Sequence, residues 1–146
     1  MVSNVIDLCR YRNRRNRLHF YNVFYVTEEG QWLTLLLFSP FLRVRDLRSQ
    51  EELRNFLLIE RPDLIIVESN ISWGEPIEII REFHEKLAVP IVLVCDNTRS
   101  AKDKTLIKKA YSAGVHDVLF APLRRDEIVE AIDVLLKFRM PLSIQQ

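Results

Sequence analysis

Glycine is scarce in this chain, with three in 146 residues, at positions 30, 74 and 114. A phosphate cradle of the P-loop or dinucleotide type needs several glycines close together, so neither can be written here. Cysteine is scarcer still. Cys9 and Cys95 lie far apart, without CxxC spacing or a nearby His pair, which argues against a disulfide framework and a zinc site and fits a reducing compartment. No apolar run approaches the roughly 18 residues of a membrane span, and the first twenty residues lack the continuous apolar segment of a secretory signal. A cytoplasmic location is the expectation. Net charge is nearly absent as well, at +1, but that total hides an asymmetry. Residues 1–22 carry Arg10, Arg12, Arg14, Arg15 and Arg17 against Asp7 alone, a net +4 that leaves −3 for the remainder.

What is abundant is apolar. Hydrophobic residues make up 48% of the chain, enough at this length for one domain with a proper core. We therefore divide the sequence into a basic, amphipathic N-terminal arm (1–21), a body (22–138) and a C-terminal tail or start of a linker (139–146).

Within the body two periodicities alternate. Val23–Val26, Leu64–Val67, Ile91–Val94 and Val118–Phe120 are short apolar runs, largely β-branched or aromatic, as strands buried on both faces should be. Leu42–Leu47 alternates apolar with charged residues and predicts a fifth, less buried strand. Helical spacing links Trp32, Leu33, Leu36 and Leu37; then Leu53, Phe56 and Leu57; Ile77, Ile80, His84 and Leu87; Leu106, Ile107, Ala110 and Tyr111; and Ile128, Ala131, Ile132, Leu135 and Leu136. Gly114 stands where a left-handed cap would end a helix, Pro62 and Pro90 each precede a strand, and Glu75-Pro76 can open a helix. The order is (βα)5. Right-handed crossovers then favour an α/β fold, a doubly wound five-stranded parallel sheet with helices on both faces.

The run Pro62-Asp63-Leu64-Ile65-Ile66-Val67-Glu68 places a carboxylate at the carboxyl end of a buried strand, where open α/β sheets hold their sites. This run, Pro90-Ile-Val-Leu-Val-Cys-Asp96, and Ala113-Gly114-Val115-His116-Asp117 leading into Leu119-Phe120-Ala121-Pro122-Leu123 together resemble the receiver domain of bacterial response regulators, over about residues 22–138. The resemblance implies a flavodoxin-like fold and, in two-component signalling, a phosphoacceptor Asp, Mg²⁺ held by acidic residues, a Lys on the phosphoryl oxygens, and a hydroxyl and an aromatic that report the event. Here the acceptor position is Glu68, one bond longer. The acidic pair is Thr27-Glu28, with Glu29 adjacent. The hydroxyl falls on Cys95, the Lys on Ala121 and the aromatic on Val118. Five departures leave no phosphotransfer site, so the resemblance is to a degenerate, pseudo-receiver member. It implies no enzyme, no catalytic residue and no cofactor. The residual Mg²⁺ option rests on Glu28 and Glu68 alone.

As a phospho-aspartate mimic Glu68 would need a cationic partner and a hydroxyl to be read, and Ala121 and Cys95 supply neither. It reads instead as a polar residue tolerated at a solvated crevice. Cys95 reads as a small buried apolar group rather than a nucleophile beside His116.

Two regions carry interaction. In the arm Val5, Leu8, Cys9 and Arg12 keep helical spacing and the arginines give a basic face, suited to an acidic protein, anionic lipid or nucleic-acid phosphate. The fourth helix, fifth strand and fifth helix, which receivers use for dimerisation, carry Lys104, Lys108, Arg125, Asp126, Glu130 and Asp133, mixed signs that suit a homodimer. The reading is a phosphorylation-independent protein-protein interaction module. The alternatives are the regulatory domain of a transcription regulator or nucleotide cyclase, and binding of nucleic acid or an acidic partner through the arm.

Overall fold

The computed structural model describes residues 20–95 and 104–139. The arm with Arg10, Arg12, Arg14, Arg15 and Arg17, and residues 140–146 of the tail, lie outside them. Five strands form one parallel sheet: β1 (Tyr21–Val26), β2 (Leu42–Leu47), β3 (Leu64–Glu68), β4 (Ile91–Cys95) and β5 (Asp117–Phe120), in the order β2-β1-β3-β4-β5. Helices α1 (Leu33–Leu36), α2 (Gln50–Ile59), α3 (Pro76–Lys86), α4 (Lys104–Ala113) and α5 (Arg125–Arg139) alternate with them. This is the (βα)5 doubly wound arrangement predicted above.

Alternation along the strands divides the core in two, because successive side chains leave opposite faces. Phe24, Val26, Ile65, Val67, Ile91 and Leu93 pack with residues of α2, α3 and α4. Val23, Tyr25, Leu64, Ile66, Val92 and Val94 pack with residues of α1 and α5. Every residue of β3 and β4 is buried, as the continuous apolar runs require, whereas the edge strands β2 and β5 are partly exposed. On β2, Arg45 forks onto Glu60, with Nε–Oε1 at 3.1 Å and Nη2–Oε2 at 2.5 Å, and its guanidinium lies 5.2 Å from the Phe56 ring centre.

Local chemistry sets the helix ends. Ser49 Oγ accepts from the Glu52 N–H at 3.1 Å while the Glu52 carboxylate reaches back to the Arg48 N–H at 2.7 Å, close to a capping box. Glu75 caps α3, with Pro76 in its first turn. At the end of α4, Val115 N–H donates to Ala110 O and Gly114 N–H to Tyr111 O, the paired bonds of a Schellman ending, with Gly114 at φ +123°.

Two helices differ from expectation. The stripe ending at Leu37 yields only one turn, and Leu37 is 57% exposed. Gly30, at φ +67°, and Ser39, disfavoured in a helix by the following Pro40, leave too few residues between them for a self-sustaining helix. On α3 the core position belongs to Phe83, with Ile77, Ile79 and Ile80, and His84 is exposed. No helix among the described residues is long and apolar enough to cross a membrane.

Candidate functional site

Register decides what Glu68 can touch. β1 and β3 are paired so that Tyr25 faces Ile66 and Val26 faces Val67, which puts Thr27 opposite Glu68 just beyond the ladder. Tyr25 and Thr27, two residues apart, leave the same face of the sheet, and both turn to the carboxylate. Thr27 Oγ1 donates to Glu68 Oε1 at 2.7 Å, and the Tyr25 hydroxyl donates to Glu68 Oε2. Each hydroxyl also accepts from the loop that follows β1: Gly30 N–H reaches Thr27 Oγ1 at 2.8 Å, and Trp32 N–H reaches the Tyr25 hydroxyl oxygen at 3.1 Å. Two relays of backbone N–H, hydroxyl and carboxylate thus converge on one side chain. Glu68 is 4% exposed and Thr27 fully buried, the two polar residues counted within the described core. Burial, and after it the bond to Glu68, push the Tyr25 hydroxyl well above the ordinary phenol range, so it stays a donor.

The neighbouring carboxylate is also engaged. Glu28 accepts from the Ser72 N–H at 2.7 Å and from Ser72 Oγ at 2.8 Å, and these bonds hold its pKa below the ordinary glutamate value. Trp73 Nε1 donates to Thr27 O at 3.0 Å. The loop after β3 is therefore fastened just beyond the end of β1, at Thr27 and Glu28.

Two small hollows meet at Glu68. One, of about 100 Å³, is lined by Gln31, Trp32, Glu68, Asn70, Val94, Cys95 and Ala121, and the other, of about 180 Å³, by Glu28, Glu29, Gln31, Glu68 and Asn70. The structure thus brings together Glu68, Thr27, Glu28, Cys95 and Ala121, while Val118 lies apart, half-buried in β5 against the α2–α4 side of the core. Cys95 is a fully buried thiol at the end of β4. The solvated setting expected for Glu68 is overturned by its burial under Tyr25 and Trp32, residues that the sequence pattern presented only as core.

The carboxylates do not fit Mg²⁺. A hard cation needs several oxygen ligands turned toward one point, yet both oxygens of Glu68 receive hydroxyls from within the sheet and Glu28 is turned to Ser72. Among the described residues no three His, Cys, Asp or Glu side chains converge in a metal-binding arrangement.

The predicted interaction residues Lys104, Lys108, Arg125, Asp126, Glu130 and Asp133 are all exposed, with Asp126 paired to Arg124 at 3.2 Å. Tyr111 on α4, Phe120 on β5 and Val134 on α5 stand exposed among the same elements, at 50%, 39% and 55%.

Neither a protein-family model nor a curated protein sequence matches the chain. Solved structures do. A response regulator from Thermotoga maritima is 23% identical, with a TM-score of 0.69 over 81% of this chain and 98% of its own. A putative response regulator from Chloroflexus aurantiacus is 19% identical, with a TM-score of 0.68 over 80% of this chain and 98% of its own. Full-length FixJ from B. japonicum is 16% identical, with a TM-score of 0.69 over 86% of this chain and 62% of its own. Together with the strand order and the two helix layers, these likenesses give the chain the fold of a response-regulator receiver domain.

Proposed function

We propose that this chain is a degenerate receiver, a bacterial signalling module that acts through protein-protein contacts and does not depend on phosphorylation. The observation that carries the reading is the state of Glu68: at the acceptor position, 4% exposed, with both oxygens bonded to Tyr25 and Thr27. In-line attack on a phosphoryl donor needs a carboxylate oxygen presented to the crevice and charge-neutralising groups around it. Ala121 at the lysine position and the diverted carboxylate of Glu28 supply neither. Without that chemistry the fold retains its surfaces. The α4–β5–α5 face, with mixed charges around Tyr111, Phe120 and Val134, is the one we assign to a protein partner or a second copy.

The test is incubation of the intact chain with acetyl phosphate and Mg²⁺, followed by intact mass and amide spectra beside a competent receiver as control. No phosphoryl adduct and unchanged amide positions around Glu68 are expected. An adduct mapped to Glu68 overturns the reading.

A further inference from the structure

Exposed apolar side chains are not spread evenly over this molecule. Of the nine large ones among the described residues, Phe20, Phe41, Leu57, Leu58 and Ile59 belong to two segments, the start of β1 and β2 and the last turn of α2. Leu58 and Ile59 are 83% and 72% exposed. Beside them a groove of about 340 Å³ runs between α2 and α3, floored by Leu53, Leu57, Ile79, Phe83 and Leu87. Hydrogen bonds bring the two segments together: Asn22 N–H donates to Asp63 Oδ2 at 2.8 Å, Asp63 N–H to Asn22 O at 2.7 Å, and Asn22 Nδ2 to Arg61 O at 3.3 Å. Phe20, the first described residue, therefore stands two residues from Asn22, which is bonded two residues beyond Ile59. Its ring lies 6.5 Å from that of Phe41 and under the Arg43 guanidinium at 4.9 Å.

We infer that the groove between α2 and α3, with the apolar end of α2, is the seat of the chain's own N-terminal arm, residues 1–19. The occupant follows from where the chain enters. The arm joins the fold at Phe20, at one end of the patch, and its 19 residues would reach roughly 28 Å even if fully helical, against about 15 Å for the ten residues of α2. Its composition fits too. At 3.6 residues per turn Val5, Leu8 and Cys9 fall on one side, with Arg12 between them and Arg15 at its edge, and Arg10, Arg14 and Arg17 on the other. An arm seated by the Val5, Leu8 and Cys9 side covers Leu57, Leu58 and Ile59, which otherwise stay in water at the end of a helix, and turns Arg10, Arg14 and Arg17 outward. The inference is independent of the reading of Glu68.

The native chain carries the probe site. Cys9 lies in the arm and Cys95 is fully buried, so a thiol-reactive nitroxide goes to Cys9. In the labelled full chain, amides of Leu57, Leu58, Ile59 and Leu87 should lose most of their intensity while those of α5 keep theirs. Leu58→Glu, at a site too exposed to disturb folding, and Leu8→Ser in the arm should each restore the signals. Broadening spread evenly or centred on α5 overturns the inference. So does the same broadening appearing on the enriched chain when labelled, unenriched chain is mixed with unlabelled, isotope-enriched chain, because the seat would then be filled by a second copy.

Discussion

Two hydroxyls on one carboxylate make Glu68 a structural joint, and the cost of removing it can be placed. Glu68→Ala leaves the buried Tyr25 and Thr27 hydroxyls without their acceptor, at about 1–3 kcal/mol for each group left unsatisfied. We expect a total loss of about 2–6 kcal/mol in urea unfolding, and Tyr25→Phe, which removes one donor, should cost about 1 kcal/mol. Loss below about 0.5 kcal/mol for Glu68→Ala would mean that the carboxylate is not a joint. His116 is a second residue with a consequence of its own. Its Nδ1 accepts from the Ile91 N–H at 3.1 Å, and partial burial followed by the nearby His84 lowers its pKa. The folded state thus holds fewer protons than the unfolded one once the pH falls below the unfolded value of about 6.5. Its contribution is present above that value and declines as the pH drops toward the folded one. The urea midpoint should fall between about pH 7.5 and about pH 5.5, and His116→Gln should flatten that part of the profile. Of these contacts, Glu68 as a strand-end acid was legible from the pattern of β3. Tyr25 was not, because its hydroxyl acquires meaning only once β1 and β3 are registered, which no local periodicity encodes.

Elements show the same division. The strands were readable because buried parallel strands are apolar without interruption, α3 and α5 because their stripes repeat over two or more turns, and α4 because Gly114 marked its end. The single turn of α1 was not readable from its leucines. Its length is set by Gly30 and Pro40 at its borders, and the apolar residues between them serve as loop packing under α5. The end of α4 offers a direct test. Gly114 sits at positive φ, and a Cβ there would fall 2.4 Å from His84 Cγ. Gly114→Ala is expected to destabilise by about 1–2 kcal/mol, since a left-handed backbone disfavours a side chain and His84 must rotate away. Adding His84→Ala should recover the steric part and leave the backbone part. Recovery of nothing in the double variant would show that the crowding does not matter.

At the scale of the whole molecule, the (βα)5 order and the single sheet followed from alternation and crossover handedness, while the placement of exposed apolar residues did not, because that depends on which helix flanks each strand. The α4–β5–α5 face provides a prediction here. If it joins two copies, sedimentation of the intact chain should show a concentration-dependent dimer, and Val134→Asp should return the monomer with the thermal stability that the parent chain has when dilute enough to be monomeric, as Val134 is 55% exposed. A monomer at all concentrations would leave this face to a different protein. Measuring both in one chain separates assembly from folding.

The bonds around Glu68 also bear on what substitution at this position can achieve. Shortening this side chain to aspartate would not create a competent acceptor, because the carboxylate would withdraw from hydroxyls that Gly30 and Trp32 hold in place, and Ala121 would still offer no cation. Installing such an acceptor would require Tyr25 and Thr27 to change together with Glu68, and each variant with fewer changes would carry a buried hydroxyl or carboxylate without a partner. The joint works as a three-way lock: Glu68, Tyr25 or Thr27 changed alone leaves a less stable protein.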